Sequence, residues 1–178
     1  LQGYGVSPGF AHRIWKRYGA AAVARVRENP YRLAFDVWGI GFLSADRLAR
    51  SLGVGVDSPL RLEAGVRHTL VEAGSAGHVF LPRPQLVEEA ARRLEVDDAL
   101  VAPAIARLAE AGDVVVERDV ATEDRVYDTG LYRAEVALAG RLRALLESEG
   151  GPRLDVDPRE AVTSYERAAK LELASAPA

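Results

Sequence analysis

The chain has 178 residues, is 48% hydrophobic, carries a formal net charge of −3 and contains no cysteine. It is long enough for one or two modest cores, and the lack of cysteine excludes disulfides, cysteine-ligated zinc sites and thiol catalysis. No run approaches the roughly 20 apolar residues of a membrane span and no signal peptide is visible, so we predict a cytoplasmic protein without membrane contact. The absence of methionine, even at position 1, predicts a fragment of a longer protein.

Two short glycine-containing turns, each followed by an amphipathic basic helix, organise residues 1–53. The first turn is GVSPG at residues 5–9, with Ser7 as a predicted N-cap and Pro8 at the first helical position. Its helix carries Phe10, Ile14, Trp15 and Tyr18 as a predicted apolar stripe and ends at Gly19. A short helix over 20–28, a break at 29–30 and another short helix to about 35 lead to the second turn.

The second turn is VWGIG at residues 37–41, and its helix is predicted to end at Gly53. A turn that opens onto a helix start points backbone N–H groups outward at the positive end of the helix dipole, which suits a phosphate. Two such units in a row predict a tandem helix-hairpin-helix that grips a nucleic-acid backbone. Phe42 and Leu43 suit packing better than phosphate contact, so the second turn is predicted to be partly structural.

The predicted DNA contacts are backbone groups in the turns and basic side chains on the helices. The turn residues are Gly5, Val6, Ser7, Gly9, Gly39, Ile40 and Gly41. The basic residues are Arg13, Lys16, Arg17, Arg47 and Arg50. If about four phosphates are neutralised, affinity should fall with salt at a log–log slope of about −3 to −4.

Charge supports this reading, because it is divided unevenly along the chain. Residues 1–56 carry eight Lys or Arg against three acids, a net of +5, whereas residues 57–178 carry 15 basic and 23 acidic residues, a net of −8. A basic segment that coincides with the two turns is typical of a protein that binds a polyanion.

The remaining chain predicts a small α+β domain followed by two helices. The predicted elements are a helix over 58–73, a strand over 78–81, helices over 84–94 and 97–112 (delayed or kinked by Pro103), strands over 114–118 and 125–132, and helices over 134–149 and 155–173. This order is that of a winged helix. The predicted fold is mainly α, with domains at 1–56, 57–133 and 134–178.

Motifs for catalysis are absent from the sequence. No G-x-x-x-x-G-K-S/T loop for ATP occurs, and His12, His68 and His78 are too far apart to suggest a ligand set. We therefore expect no cofactor in this chain, and His68 to be a satisfied helix residue. The helix over 98–111 offers only Arg107 as a cation, which favours packing over major-groove reading.

Four motifs resemble the region upstream of the motor in the long RecD-like DNA helicases. They are Asn29-Pro30-Tyr31-x-Leu33, Gly39-Ile40-Gly41-Phe42-x-x-Ala45-Asp46, Gly77-His78-x-x-Leu81-Pro82 and Tyr127-x-x-x-Leu131-Tyr132-x-x-Glu135-x-x-x-Ala139-x-Arg141-Leu142. The resemblance runs from about Gly5 to Arg143. It implies a longer protein with a superfamily 1 motor that uses ATP and Mg²⁺ to move 5′ to 3′ on single-stranded DNA. The ATP-binding residues of that motor are not in this chain.

Two alternatives stay open at this stage. In one, the chain is a scaffold that docks on the motor or on a partner protein, with both hairpins buried. In the other, the hairpins belong to a different DNA-repair protein. Exposed turns would favour DNA binding, whereas turns inside an apolar interior would exclude it.

Overall fold

A computed structural model describes residues 7–118, 123–148 and 157–169 of the chain. Helices predominate beside one three-stranded antiparallel sheet, as predicted. Contacts divide the chain into two compact units, Leu1–Leu138 and Ala139–Ala178. Among the residues placed by the structure, no helix has both the length and the apolar character needed to cross a membrane.

The first part of the chain forms short helices joined by tight turns. The helices are α1 (Pro8–Tyr18), α2 (Ala22–Glu28), α3 (Leu33–Asp36) and α4 (Phe42–Ser51), with 3₁₀ turns at Gly19–Ala21 and Pro30–Arg32. As predicted, Ser7 caps α1, because its Oγ accepts a 3.3 Å hydrogen bond from the Phe10 amide, and the helix ends at Gly19. The side chain of Asn29 accepts from the Tyr31 amide and starts the second 3₁₀ turn.

The buried face of α1 is narrower than the predicted apolar stripe. Ile14 is fully buried, and Phe10 and Tyr18 pack partly against the core. Trp15 is 60% exposed, so its assignment to the stripe is wrong. Successive helix residues are about 100° apart around the axis, and the face centred on Ile14 therefore leaves its neighbour in solvent.

The predicted order of the second group of elements is observed. These elements are α5 (Pro59–Ser75), β1 (Phe80–Pro82), α6 (Arg83–Leu94), α7 (Asp98–Ala111), β2 (Val114–Glu117) and β3 (Arg125–Asp128). Strand β3 lies between β1 and β2, and Tyr127 pairs with Phe80 on one side and Val115 on the other. Helix α7 continues through Pro103. The name winged helix stays a prediction for this arrangement.

Strand β3 is shorter than predicted, and the next helix begins earlier. Helix α8 (Thr129–Glu147) starts directly after Asp128, where the sequence predicts strand to residue 132. The cause is local, because Asp128 Oδ1 accepts from the amides of Gly130 at 2.8 Å and Leu131 at 3.3 Å and so caps the helix. Helix α9 (Pro158–Ala169) lies within the predicted last helix, and residues 149–156 between α8 and α9 are outside the described residues.

A buried ion pair joins α4 to α5 and α6. Arg61, 6% exposed, donates from Nε to Asp46 Oδ1 at 2.9 Å, and its Nη1 donates to the carbonyls of Val56 and Leu94 at 3.0 Å each. The Tyr31 hydroxyl donates to the same Asp46 oxygen at 2.7 Å. Burial and this hydrogen bond raise the pKa of Tyr31, so the hydroxyl keeps its proton. Contacts thus cross the predicted boundary near residue 56, and the three domain boundaries stay predictions, since separate domains can pack together.

Candidate nucleic-acid interface

The described part of the first hairpin is open to solvent. Ser7 and Gly9 are both exposed, and a Cβ built on Gly9 would meet nothing within 4 Å among the described residues. Pro8 has no amide hydrogen, and the Phe10 amide is satisfied by Ser7. Gly9 therefore leaves the start of α1 accessible to a ligand. Gly5 and Val6, also predicted contacts, lie outside the described residues.

The second hairpin is a tight turn closed by a hydrogen bond from the Ile40 amide to the Val37 carbonyl at 3.1 Å. Gly39 has φ +77°, which a residue with a side chain rarely adopts. The side chain of Ile40 is 4% exposed. Its amide is thus engaged within the turn and its side chain is in the core, and a contact of Ile40 with DNA stays a prediction. Gly41 is exposed and has open space around the position of a Cβ among the described residues.

The two residues after Gly41 behave differently from each other. Phe42 packs as expected, because it is 3% exposed and stacks between the rings of Tyr31 at 6.0 Å and His68 at 5.0 Å. Leu43, expected to pack as well, is 68% exposed. Phe42 therefore anchors the start of α4 in the core, while the surface around Leu43 stays open.

A groove between α1 and the second hairpin collects three of the predicted basic residues. Its volume is about 390 Å³. The lining residues are Arg13, Lys16, Arg17, Asp36, Val37 and Trp38. Three cations from one helix therefore face a turn of the other hairpin, and the first and second hairpin units contribute to a single surface.

Two of the arginines are held by neighbouring groups. The guanidinium carbon of Arg13 lies 4.8 Å from the centre of the Phe10 ring, and a Cβ built on Gly39 would lie 2.8 Å from Arg13 Nη1. Arg17 donates from Nε to the Asp36 carbonyl at 3.2 Å. Glycine at position 39 thus leaves the space that Arg13 occupies, and the guanidinium of Arg17 is fixed at the rim of the groove.

The acidic residue of the groove is engaged by groups of the protein. The Asp36 carboxylate accepts from the Tyr18 hydroxyl at 2.7 Å and lies 3.8 Å from Arg32 Nε. Burial, followed by the hydrogen bond to Asp36, raises the pKa of Tyr18 to about 12, so Tyr18 donates at physiological pH. These partners offset the charge of Asp36, and the groove keeps its positive character.

Arg47 and Arg50 are exposed on α4, but they do not line this groove. They are three residues apart and share one face of the helix. The structure therefore gathers Arg13, Lys16 and Arg17 in one groove and leaves the other two predicted cations outside its lining.

Trp38 is the site residue that our sequence reasoning missed. It sits at the tip of the second hairpin, lines the basic groove and is 89% exposed. The sequence signal was a tryptophan placed directly before a glycine in a tight turn, because a side chain at the tip of a turn has little core to join.

His68 and Arg107, which were not predicted as DNA contacts, have structural partners. His68 stacks on Phe42 and its Nε2 lies 3.3 Å from Glu72 Oε1, while burial lowers the pKa of His68. Arg107, on α7, pairs with Glu63 of α5 at 2.6 Å, and α7 packs its apolar face into the core. Within the described ranges no group of three His, Asp or Glu side chains could hold a metal ion.

Comparison with known proteins identifies a helix-hairpin-helix family for the segment that contains the groove. Residues 1–80 match the family described as the ATP-dependent RecD2 DNA helicase HHH domain, a helix-hairpin-helix domain. The chain is also similar to the ATP-dependent RecD2 DNA helicase of Deinococcus radiodurans, with 36% identity over 158 residues that cover 82% of this chain and 22% of that relative. The chain thus spans about a fifth of the relative's length. The resemblance to the N-terminal region of RecD-like helicases is confirmed.

Proposed function

We propose that the chain is a sequence-independent DNA-binding accessory region of a RecD-like 5′-to-3′ ATP-dependent helicase. The observation that carries the proposal is the groove in which Arg13, Lys16 and Arg17 face the second hairpin. It lies inside the segment that matches a RecD2 helicase helix-hairpin-helix domain.

Phosphate is the ligand that this surface suits. Three cations within one groove attract a polyanion and release its counterions. Gly9 and Gly41 are exposed and permit close approach of a sugar-phosphate backbone at the starts of α1 and α4. Helix dipoles favour negative charge at these positions. Contacts of this kind position a nucleic acid without reading its bases, which supports sequence independence.

The test is a charge reversal at the groove compared with one elsewhere on the same domain. Lys16→Glu should weaken binding of the 178-residue chain to unrelated DNA sequences equally, by about tenfold. The variant should also flatten the log–log salt slope by about one unit. Fluorescence anisotropy between 50 and 200 mM salt would measure both quantities.

Arg27→Glu is the matched control, because Arg27 is exposed on α2 and does not line the groove. It makes the same change of net charge. Equal weakening by the two variants would show that overall charge, rather than the groove, determines binding. Unchanged binding by Lys16→Glu would remove the groove from the DNA interface.

The same proposal includes motor domains outside this chain. The motor domains, with ATP and Mg²⁺ as their cofactors, would be partners within the same polypeptide, and the protein would act on cytoplasmic DNA, in repair among other processes. An assay of DNA unwinding by the longer protein with and without Lys16→Glu would show whether this region contributes to helicase activity.

One observation favours the alternative scaffold role for the C-terminal part of the chain. Helix α8 carries an exposed apolar face with residues spaced at i, i+4, i+7 and i+8. Its members are Leu138, Leu142, Leu145 and Leu146, all more than half exposed. Among the described residues this leucine face is exposed, and such a face suits docking on another domain. Complex formation with the separate motor, lost on Leu142→Glu but not on Lys16→Glu, would support this second role.

A further inference from the structure

We propose that Trp38 stacks on an unpaired base of a DNA single strand whose phosphates lie in the basic groove. This inference rests on the proposed DNA-binding function and narrows it to a substrate class. Trp38, Arg13, Lys16 and Arg17 line the same cavity, so one ligand contacts the ring and the cations together.

The exposure of Trp38 is unusual for its size. Tryptophan is highly buried on average, whereas this side chain is 89% exposed. The other rings of the neighbourhood are satisfied, because Tyr31, Phe42 and His68 stack in series within the fold. The indole of Trp38 is therefore a large apolar surface left in water beside charged groups.

The backbone that carries this indole is held from both sides. Val37 and Ile40, which flank the tip of the turn, are 5% and 4% exposed, and the Ile40 amide closes the turn on the Val37 carbonyl. The left-handed φ of Gly39 completes the bend. A ligand that stacks on Trp38 thus meets a backbone that is already ordered, which reduces the entropy lost on binding.

The combination of groups selects a single strand over two other ligands. A duplex keeps its bases stacked and offers mainly phosphates to such a surface, so it would use the cations but not the ring. An apolar protein segment would use the ring but gain little from three cations. A single strand supplies a phosphate and an unpaired base from neighbouring atoms, and stacking on aromatic side chains is tolerant of sequence.

The test compares variants of the 178-residue chain on oligothymidine and on a duplex of equal length. Trp38→Ala should weaken single-strand binding about tenfold, within the range measured for base stacking, and change duplex binding less than about twofold. Trp38→Phe should keep most of the single-strand affinity because it retains a ring. Trp15→Ala is the control, since Trp15 is also exposed but does not line the groove.

Fluorescence gives a direct readout that does not depend on affinity. Because the chain has two tryptophans, a Trp15→Phe background leaves Trp38 as the single reporter. Addition of oligothymidine should quench its emission, and addition of duplex should not. Failure of the single strand to quench, or equal loss of both ligands in Trp38→Ala, would overturn the inference.

The two proposals fail in different ways. If Lys16→Glu weakens binding and Trp38→Ala leaves single-strand binding unchanged, the stacking inference is wrong and the DNA-binding function stands. If wild-type protein binds neither ligand, both are wrong. If Trp38→Ala abolishes capture of the separate motor without changing DNA binding, the ring belongs to a protein interface instead.

Discussion

Loss of the Asp46 carboxylate should destabilise the protein strongly, because it leaves a buried guanidinium without its counter-ion. The side chains of Arg61 and Asp46 are 8% and 17% exposed. Breaking a buried pair from one side costs about 3–5 kcal/mol. Arg61 Nη1 keeps two carbonyl partners, which places Asp46→Ala near the lower end, at about 3 kcal/mol. The Tyr31 hydroxyl loses its acceptor as well, which adds about 1 kcal/mol.

Urea unfolding followed by circular dichroism measures this loss. The expected total for Asp46→Ala, about 4 kcal/mol, is a large part of the 5–15 kcal/mol of a typical domain. Asp46→Leu combined with Arg61→Met should recover most of it, since an apolar pair removes the unpaired charge. Glu88→Ala, an exposed acid on α6, serves as the control. A loss below about 1 kcal/mol for Asp46→Ala would refute the reasoning, because Arg61 would then be solvated in another way.

Two further outcomes follow from the hairpin and from the core beside it. Gly39→Ala should cost about 1–2 kcal/mol, since the left-handed φ disfavours a side chain, and should weaken DNA binding because the new Cβ displaces Arg13. The same change at Gly9, which is not among the glycines with a positive φ, should lower thermal stability little, and an equal loss of stability at both glycines would contradict the role of the turn. Burial lowers the pKa of His68, so the folded state binds fewer protons than the unfolded state below about pH 6.5. The His68 contribution is therefore fully present above that pH and is lost as pH falls through the lower pKa of the folded state, and His68→Gln should flatten the melting-temperature profile below about pH 6.5. A wild-type profile parallel to that of the variant would show that His68 does not couple to stability.

Several parts of the fold could be predicted from short stretches of sequence. The cap at Ser7, the stop at Gly19 and the start of α7 at Asp97 each depend on contacts within four residues along the chain. The early start of α8 also depends on a local contact. The sequence signal for it was the carboxylate of Asp128 directly before a helix-forming run. The alternation of residues over 125–132 predicted a longer strand because the capping carboxylate was not taken into account.

In the candidate site, too, the features that depend on local sequence could be predicted, and those that depend on packing could not. The two turns and the basic helices were visible as patterns, and Gly9 and Gly41 are exposed as a phosphate site requires. The sequence did not distinguish Ile40, whose amide closes the turn, from its glycine neighbours. Nor did it distinguish buried Phe42 from exposed Leu43, since two adjacent apolar residues give no indication of which one faces the core.

The sequence by itself determined the tandem glycine turns, the mainly helical class and the concentration of positive charge in residues 1–56, because these depend on local conformation and on composition. Only the tertiary structure decided that Arg13, Lys16 and Arg17 face Trp38 across one groove, and that Arg61 is buried against Asp46. The physical reason is separation along the chain. Groups that are 15 or more residues apart meet only after α1, α4 and α5 have packed, and that packing is set by the whole core rather than by any one segment.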